Sequence, residues 1–153
     1  MMGFLFFLLV VGLLVIIVVS IKKTKEETRE FYKFISEREV ILSEERVRIR
    51  KTRYRYEERE TTKYLSNLFL TPEGLYIVSP PDRIIHPPFL LTTREPAQKR
   101  YVTLRVIKLD GNEKEIIIWT PYLNWKEVWR LYPQDPLRWL EELRRVYGMP
   151  QVF

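Results

Sequence analysis

The sequence predicts one membrane-spanning helix followed by a β-rich (α+β) domain that a C-terminal helix closes. Three observations carry this. Met1–Ile21 (MMGFLFFLLVVGLLVIIVVSI) contains no charged side chain. From Val40 onward apolar residues recur mainly at spacing two, in runs separated by turn residues. Near the end, Asp135-Pro136 opens and Gly148 closes a segment whose apolar residues fall three apart.

The apolar stretch comes first. At about 1.5 Å per residue it would span roughly 31 Å as a helix, the thickness of a bilayer hydrocarbon core. A cleaved signal peptide needs a positive n-region, a shorter apolar run and a small-residue cleavage site. Here no Lys or Arg precedes the run, and Val18-Val19-Ser20-Ile21-Lys22 lacks an A-x-A pattern. The expectation is an uncleaved anchor over residues 1–21. Lys22, Lys23 and Lys25 mark its membrane interface, with Arg29 on the same side. Positive residues stay in the cytoplasm, so the N-terminus is expected outside the cell (inner) membrane and the domain inside it. Gly3 and Gly12 do not form a G-x-x-x-G dimerisation pattern.

Composition sets further bounds. The chain is 46% hydrophobic and 14% aromatic, which argues against disorder and for a packed core. Charged residues make up 30% while Asn and Gln are scarce, a balance resembling that of thermophile proteins. With no Cys, disulfides, thiolate nucleophiles and Cys-ligated zinc are excluded. The net charge of +6 suits a domain tethered beside an anionic leaflet, where each nearby Lys or Arg contributes roughly 1 kcal/mol. Nucleic acid is the competing explanation.

Residues 22–39 (KKTKEETREFYKFISERE) read as a helical connector. Phe31, Phe34 and Ile35 share one face, which the stem of Arg38 continues. Thr24 with Glu27 fits a capping box, so the anchor helix either breaks there or runs through. Phe31, Tyr32 and Phe34 are expected to pack on the domain or on a partner.

The domain is assigned to residues 40–153. Val40, Leu42, Val47, Ile49, Tyr54 and Tyr56 follow strand spacing, with a phase shift that predicts a bulge or turn near Lys51-Thr52. Arg46–Arg55 is the most basic stretch, with Arg46, Arg48, Arg50, Lys51, Arg53 and Arg55 interleaved with aromatic and apolar residues. Such a run reads first as the solvated face of a strand, then as an anionic-lipid contact, then as a nucleic-acid contact. Glu44, Glu45, Glu57, Glu58 and Glu60 flank it and partly cancel its charge.

Tyr64–Leu70 and Leu75–Val78 flank Thr71-Pro72-Glu73-Gly74, a tight-turn sequence, and predict a hairpin. Ser79-Pro80-Pro81-Asp82 ends it. Short strands follow at Arg83–Ile85 and Phe89–Leu91, around His86-Pro87-Pro88, and Thr92–Arg100 is a polar loop containing Pro96. Tyr101–Leu109 and Glu115–Trp119 predict a second hairpin through Asp110-Gly111-Asn112, with Val102, Leu104, Val106 and Ile107 as core candidates. Thr120-Pro121 is expected to close the sheet. Asn124 is expected to cap a short helical turn carrying Trp125, Val128 and Trp129 on one side, which Pro133 ends. The last helix carries Leu137, Leu140, Leu143 and Val146 as an apolar stripe, stops at Gly148 and Pro150, and seals an open end or face of the sheet.

Leu68-Phe69-Leu70-Thr71-Pro72-Glu73-Gly74-Leu75-Tyr76 resembles the LT-x-x-GLY hairpin of small bacterial pleckstrin-homology-like (PH/GRAM-type) domains. His86-Pro87-Pro88-Phe89-Leu90-Leu91 resembles the HPPLLIPW stretch seen with it, although Thr92-Thr93 stands where a Trp often follows. The resemblance covers residues 40–148. It implies an antiparallel barrel of six or seven strands closed by a C-terminal helix. Relatives of that kind bind lipid head groups or dock on proteins, and no ligand residue carries over onto this chain.

Catalytic patterns are missing. His86 is the only His, and the sequence has no P-loop, Rossmann fingerprint or G-x-S-x-G. No enzyme activity, cofactor or metal is expected. The expected function is that of an accessory or scaffold subunit docking on partners in a membrane complex. Trp125, Trp129, Tyr132 and Trp139 are candidate contacts, with core packing as their competing role. An anionic-lipid head-group module is the alternative, and nucleic-acid binding ranks third.

Overall fold

In the computed structural model, residues 1–95 and 101–149 are described; Pro96 and Pro150 lie outside them. The first element, α1 (Met2–Ser36), is one helix of 35 residues, about 52 Å long. It runs straight through the expected capping box. Thr28 Oγ1 instead donates to the Thr24 carbonyl at 2.9 Å, one turn back inside the helix. The helix is long and apolar enough to cross a membrane, and its apolar window is not buried against the rest of the protein. Only its last turns are buried, at Thr28, Phe31 and Ile35.

Eight strands follow: β1 (Leu42–Arg55), β2 (Glu58–Thr71), β3 (Gly74–Val78), β4 (Phe89–Thr92), β5 (Val102–Arg105), β6 (Lys108–Gly111), β7 (Ile116–Tyr122) and β8 (Trp125–Tyr132). They form one sheet in the order β5-β4-β3-β2-β1-β8-β7-β6. All neighbours are antiparallel except β4 and β5, which run parallel. The sheet curls into a half-barrel. At its seam the Val106 N–H donates to Thr92 O of β4, at 2.9 Å, and the next N–H, of Ile107, donates to Trp119 O of β7, at 3.0 Å. Consecutive residues thus bond to opposite ends of the sheet, which requires those ends to approach each other.

Several sequence expectations are corrected. The Tyr101–Leu109 run is two strands, because the chain crosses that seam at Val106-Ile107; Leu104 and Val106 are buried while Val102 and Ile107 are exposed. Arg83–Ile85 forms no strand. Ser79 Oγ accepts the N–H groups of Ile85 and His86 instead, each at 3.1 Å, and ties that loop down. The β1 bulge lies between Glu44 and Val47, where Arg46 has φ 53°, and not at Lys51-Thr52. Lys51 and Thr52 pair normally with β2 and β8. The apparent phase shift arises because Lys51 and Arg53 occupy inward places where the pattern called for apolar residues. Thr120-Pro121 does not end the sheet, since β7 continues to Tyr122.

The largest correction is β8. Trp125, Val128 and Trp129 fall at helical spacing, but Trp125–Tyr132 pairs along its length with β7 and β1. Glu127, Trp129 and Leu131 alternate inward, so spacing two describes this segment better than spacing 3.6.

The last helix, α2 (Pro136–Tyr147), has the ends the sequence predicts. Asp135 Oδ1 accepts the Arg138 N–H, and Gly148 adopts φ 65° beyond the last turn. Its buried face is Trp139, Leu140, Leu143 and Tyr147; Leu137, expected in the stripe, is exposed. The helix covers part of the inner face of the sheet, and Tyr147 donates its hydroxyl proton to Leu91 O at 2.9 Å.

The sheet therefore has two cores. The inner one joins Leu68, Leu70, Ile77, Leu91, Ile118 and Trp129 to α2. The outer one joins Phe31 and Ile35 of α1 to Tyr76, Val78 and Leu90. All five residues of β3 are buried because the strand is covered on both faces.

Candidate functional site

Strand alternation splits the basic run between the two faces of β1. Arg46 stands apart at the bulge, where its guanidinium pairs with Asp82 at 2.6 Å and its backbone N–H donates to Asn67 Oδ1. The Arg46 guanidinium in turn holds the Asp82 carboxyl below the usual carboxylate range. Arg48 and Arg50 lie on the outer face, Lys51 and Arg53 on the inner face, and exposed Arg55 sits 5.4 Å from the ring centre of half-buried Trp125. The six cations do not form one patch.

Pairing with neighbouring strands builds the outer patch differently. Arg50 stands opposite Lys63 of β2 and Arg130 of β8, which sets three cations in one row. Arg48 stands opposite Tyr132. Arg48, Arg50, Lys63 and Tyr132 line a groove of about 250 Å³. Arg130 is held by Glu115 at 2.8 Å, and Arg50 Nε is buried with no hydrogen-bond partner among the described residues. Lys63 and Arg130 were not legible as members of this patch, because only the register with β2 and β8 brings them beside Arg50.

The inner face holds a different arrangement. Lys51 is only 6% exposed. Its Nζ lies 5.4 Å from the ring centre of Tyr64, 5.3 Å from Phe89 and 5.0 Å from Trp129. Beside it, Arg53 Nε donates to Glu127 Oε1 at 2.7 Å, with Glu127 almost wholly buried. Thr120 Oγ1 accepts the Trp129 indole N–H at 3.0 Å. Lys51, Tyr64, Phe89, Arg53 and Glu127 line a cavity of about 490 Å³ that reaches β5 and the loop before β4.

His86 sits in the wall of that cavity with both ring nitrogens engaged. Nδ1–H donates to Pro87 O at 2.7 Å, which leaves Nε2 to accept the Ser66 hydroxyl proton at 2.6 Å. Through these two bonds the ring ties the loop before β4 to β2. Burial, above all, pushes its pKa down to about 4 from an ordinary 6.5. Above pH 6.5 the ring is neutral in both folded and unfolded chains and costs nothing. Between about 6.5 and about 4 only the unfolded chain takes up the proton, so stability falls with pH in that window. A loss of about 3 kcal/mol is expected across it. Urea unfolding of wild type and His86→Phe at pH 7 and pH 4.5 checks this, and equal pH slopes for the two proteins would refute it.

Of the four aromatic candidates, Trp129 and Trp139 are buried in the inner core, where they pack and present no surface. Trp125 and Tyr132 are half-buried and reach solvent. Lys22, Lys23 and Lys25 are exposed on α1, with Lys23 4.0 Å from Glu27. Among the described residues no three His, Asp or Glu side chains are grouped to hold a metal.

No protein-family model matches the chain, and neither a curated protein nor a solved structure matches it.

Proposed function

We propose that the protein is a non-enzymatic, single-span membrane protein whose cytoplasmic, PH-like domain docks on protein partners as an accessory or scaffold subunit. The supporting observation is the joint between α1 and the sheet. Ile21 ends the apolar run and Thr28 begins the buried contact, a rise of about 10 Å along one unbroken helix. Phe31 then packs against Tyr32, Phe34, Phe69, Tyr76 and Tyr101, at ring separations of 5.1–6.2 Å. With the apolar run in a bilayer, the domain stands at a fixed height close to its surface. A rigid mount suits presentation of a surface to neighbours better than a flexible tether does. Of the four aromatic candidates, Trp125 and Tyr132 reach solvent, at the two ends and on the two faces of β8. Purification from native membranes in mild detergent, with mass spectrometry, is expected to yield a stoichiometric companion that a Trp125→Ala/Tyr132→Ala double variant loses. Recovery of the bare monomer from both proteins would count against docking.

The Lys63-Arg50-Arg130 row favours a second reading, contact with anionic lipid head groups. It predicts slower amide exchange in β1 and β8 when the full chain is moved from zwitterionic to anionic nanodiscs, with the effect reversed by salt. Exchange indifferent to lipid charge would remove this reading.

A further inference from the structure

The inner-face cavity poses a problem of charge. Burying an ammonium costs several kcal/mol unless a counter-charge and hydrogen bonds offset it. Lys51 is buried, yet its register partners are Thr62 on β2 and Trp129 on β8, neither of them acidic. Among the described residues Lys51 makes no ion pair and no hydrogen bond. Its contacts are the faces of three aromatic rings. The buried carboxylate nearby among the described residues, Glu127, is engaged by Arg53. Glu60, opposite Arg53, lies at the exposed end of its strand. Among the described residues two cations thus face one buried carboxylate, and the surplus charge lies at Lys51.

Apart from Thr62 and His86, the rest of the lining is apolar or aromatic. Phe89, Val102 and Leu104 form one wall, with Tyr64 beside them and half-exposed Ile85 at the rim. The volume, about 490 Å³, is that of a site for a small organic molecule. His86 takes no part in recognition, because its nitrogens are already bonded to Ser66 and Pro87. α2 covers the inner face elsewhere, against β3, β6 and β7, and leaves this region open.

We propose that this cavity is a binding site for an amphiphile with one anionic head, a carboxylate on an aliphatic body. The carboxylate sits against Lys51 Nζ, with the Thr62 side chain in the same lining. The aliphatic body lies along Phe89 and Leu104 toward Ile85. A single surplus cation matches a carboxylate better than a phosphate monoester, which approaches two charges at neutral pH. The three rings hold the ammonium in place before the ligand arrives, so little ordering is left for binding to do. This site lies on the opposite face of β1 from the Arg48–Arg50 groove and does not depend on the docking or head-group readings.

The test is calorimetric titration of the full chain, held in zwitterionic nanodiscs, with octanoate, octanol and octyl phosphate, using empty discs as blanks. Saturable octanoate binding is expected, at least about tenfold tighter than octanol or octyl phosphate, a difference of about 1.4 kcal/mol. Lys51→Met, checked for folding by near-ultraviolet circular dichroism, is expected to lose that preference for the acid. Equal affinity for octanoate and octanol in the wild type would overturn the proposal without recourse to any variant. So would heats no larger than those of empty discs, or a folded Lys51→Met that binds octanoate like the wild type. Tighter binding of octyl phosphate would overturn the assignment of a carboxylate.

Discussion

Phe31→Ala is expected to release the end of α1 from the sheet while the domain stays folded. Phe31 is fully buried and is the centre of the outer core, in ring contact with both helix neighbours and strand residues. Removing a buried Phe side chain typically costs about 3–5 kcal/mol, and the aromatic pairings lost here belong to that sum. The inner core shares no buried residue with the outer one, so the loss falls on the helix–sheet contact. Phe34, Ile35 and Tyr32 then hold the joint without the ring at its centre, Tyr32 through its hydroxyl donating to Ser79 O at 2.7 Å and accepting from Asn67 Nδ2 at 3.0 Å. Since the chain has no Cys, two introduced cysteines give clean spin-label pairs. One label on α1 near residue 26 and one on exposed Lys63 are expected to show a narrow distance distribution in the wild type and a broad one in Phe31→Ala. Equally narrow distributions would show that the joint is held by something else.

Trp129→Ala is expected to be the most damaging single change to the domain itself. The side chain has 0% exposure, stacks on Tyr64, packs edge-on against Phe89 and donates to Thr120. Its loss opens a cavity under Lys51 and removes one of the three rings around that ammonium. A cost of about 3–5 kcal/mol follows from the cavity, with the altered setting of a buried charge added to it. Trp129→Phe keeps an apolar ring but drops the indole N–H, so Thr120 Oγ1 loses a donor and about 1–2 kcal/mol is expected. Urea unfolding followed by near-ultraviolet circular dichroism measures both. A loss below about 1 kcal/mol for the Ala variant would be incompatible with the burial described.

Much of this architecture was legible because its signals are local. The apolar run, the Thr71–Gly74 turn, the Asp135 cap and the Gly148 stop each depend on a few neighbouring residues. What misled was local pattern serving a non-local purpose. Trp125, Val128 and Trp129 match a helical face by spacing, yet the segment lies between β1 and β7, and pairing on both sides outweighs a weak helical preference. In Tyr101–Leu109 the alternation of Val102, Leu104 and Val106 shifts phase at Ile107, and that adjacent apolar pair, which is also compatible with a bulge in one strand, is where the chain crosses between sheet ends. The basic run reads as one patch because sequence proximity was taken for spatial proximity, whereas alternation sends Arg50 and Lys51 to opposite faces.

The sequence by itself determined three things: a helix able to span a bilayer, a β-rich domain after it, and a capped helix at the end. Their causes are hydropathy, periodicity and capping, which act over one or two turns of chain. The tertiary structure alone decided that α1 continues unbroken into an aromatic joint on the outer face of the sheet. It alone set Lys63 and Arg130 beside Arg50, and it alone enclosed Lys51 among three rings with no acidic partner. These features depend on strand register and sheet curl, which are fixed by contacts between residues far apart in the chain.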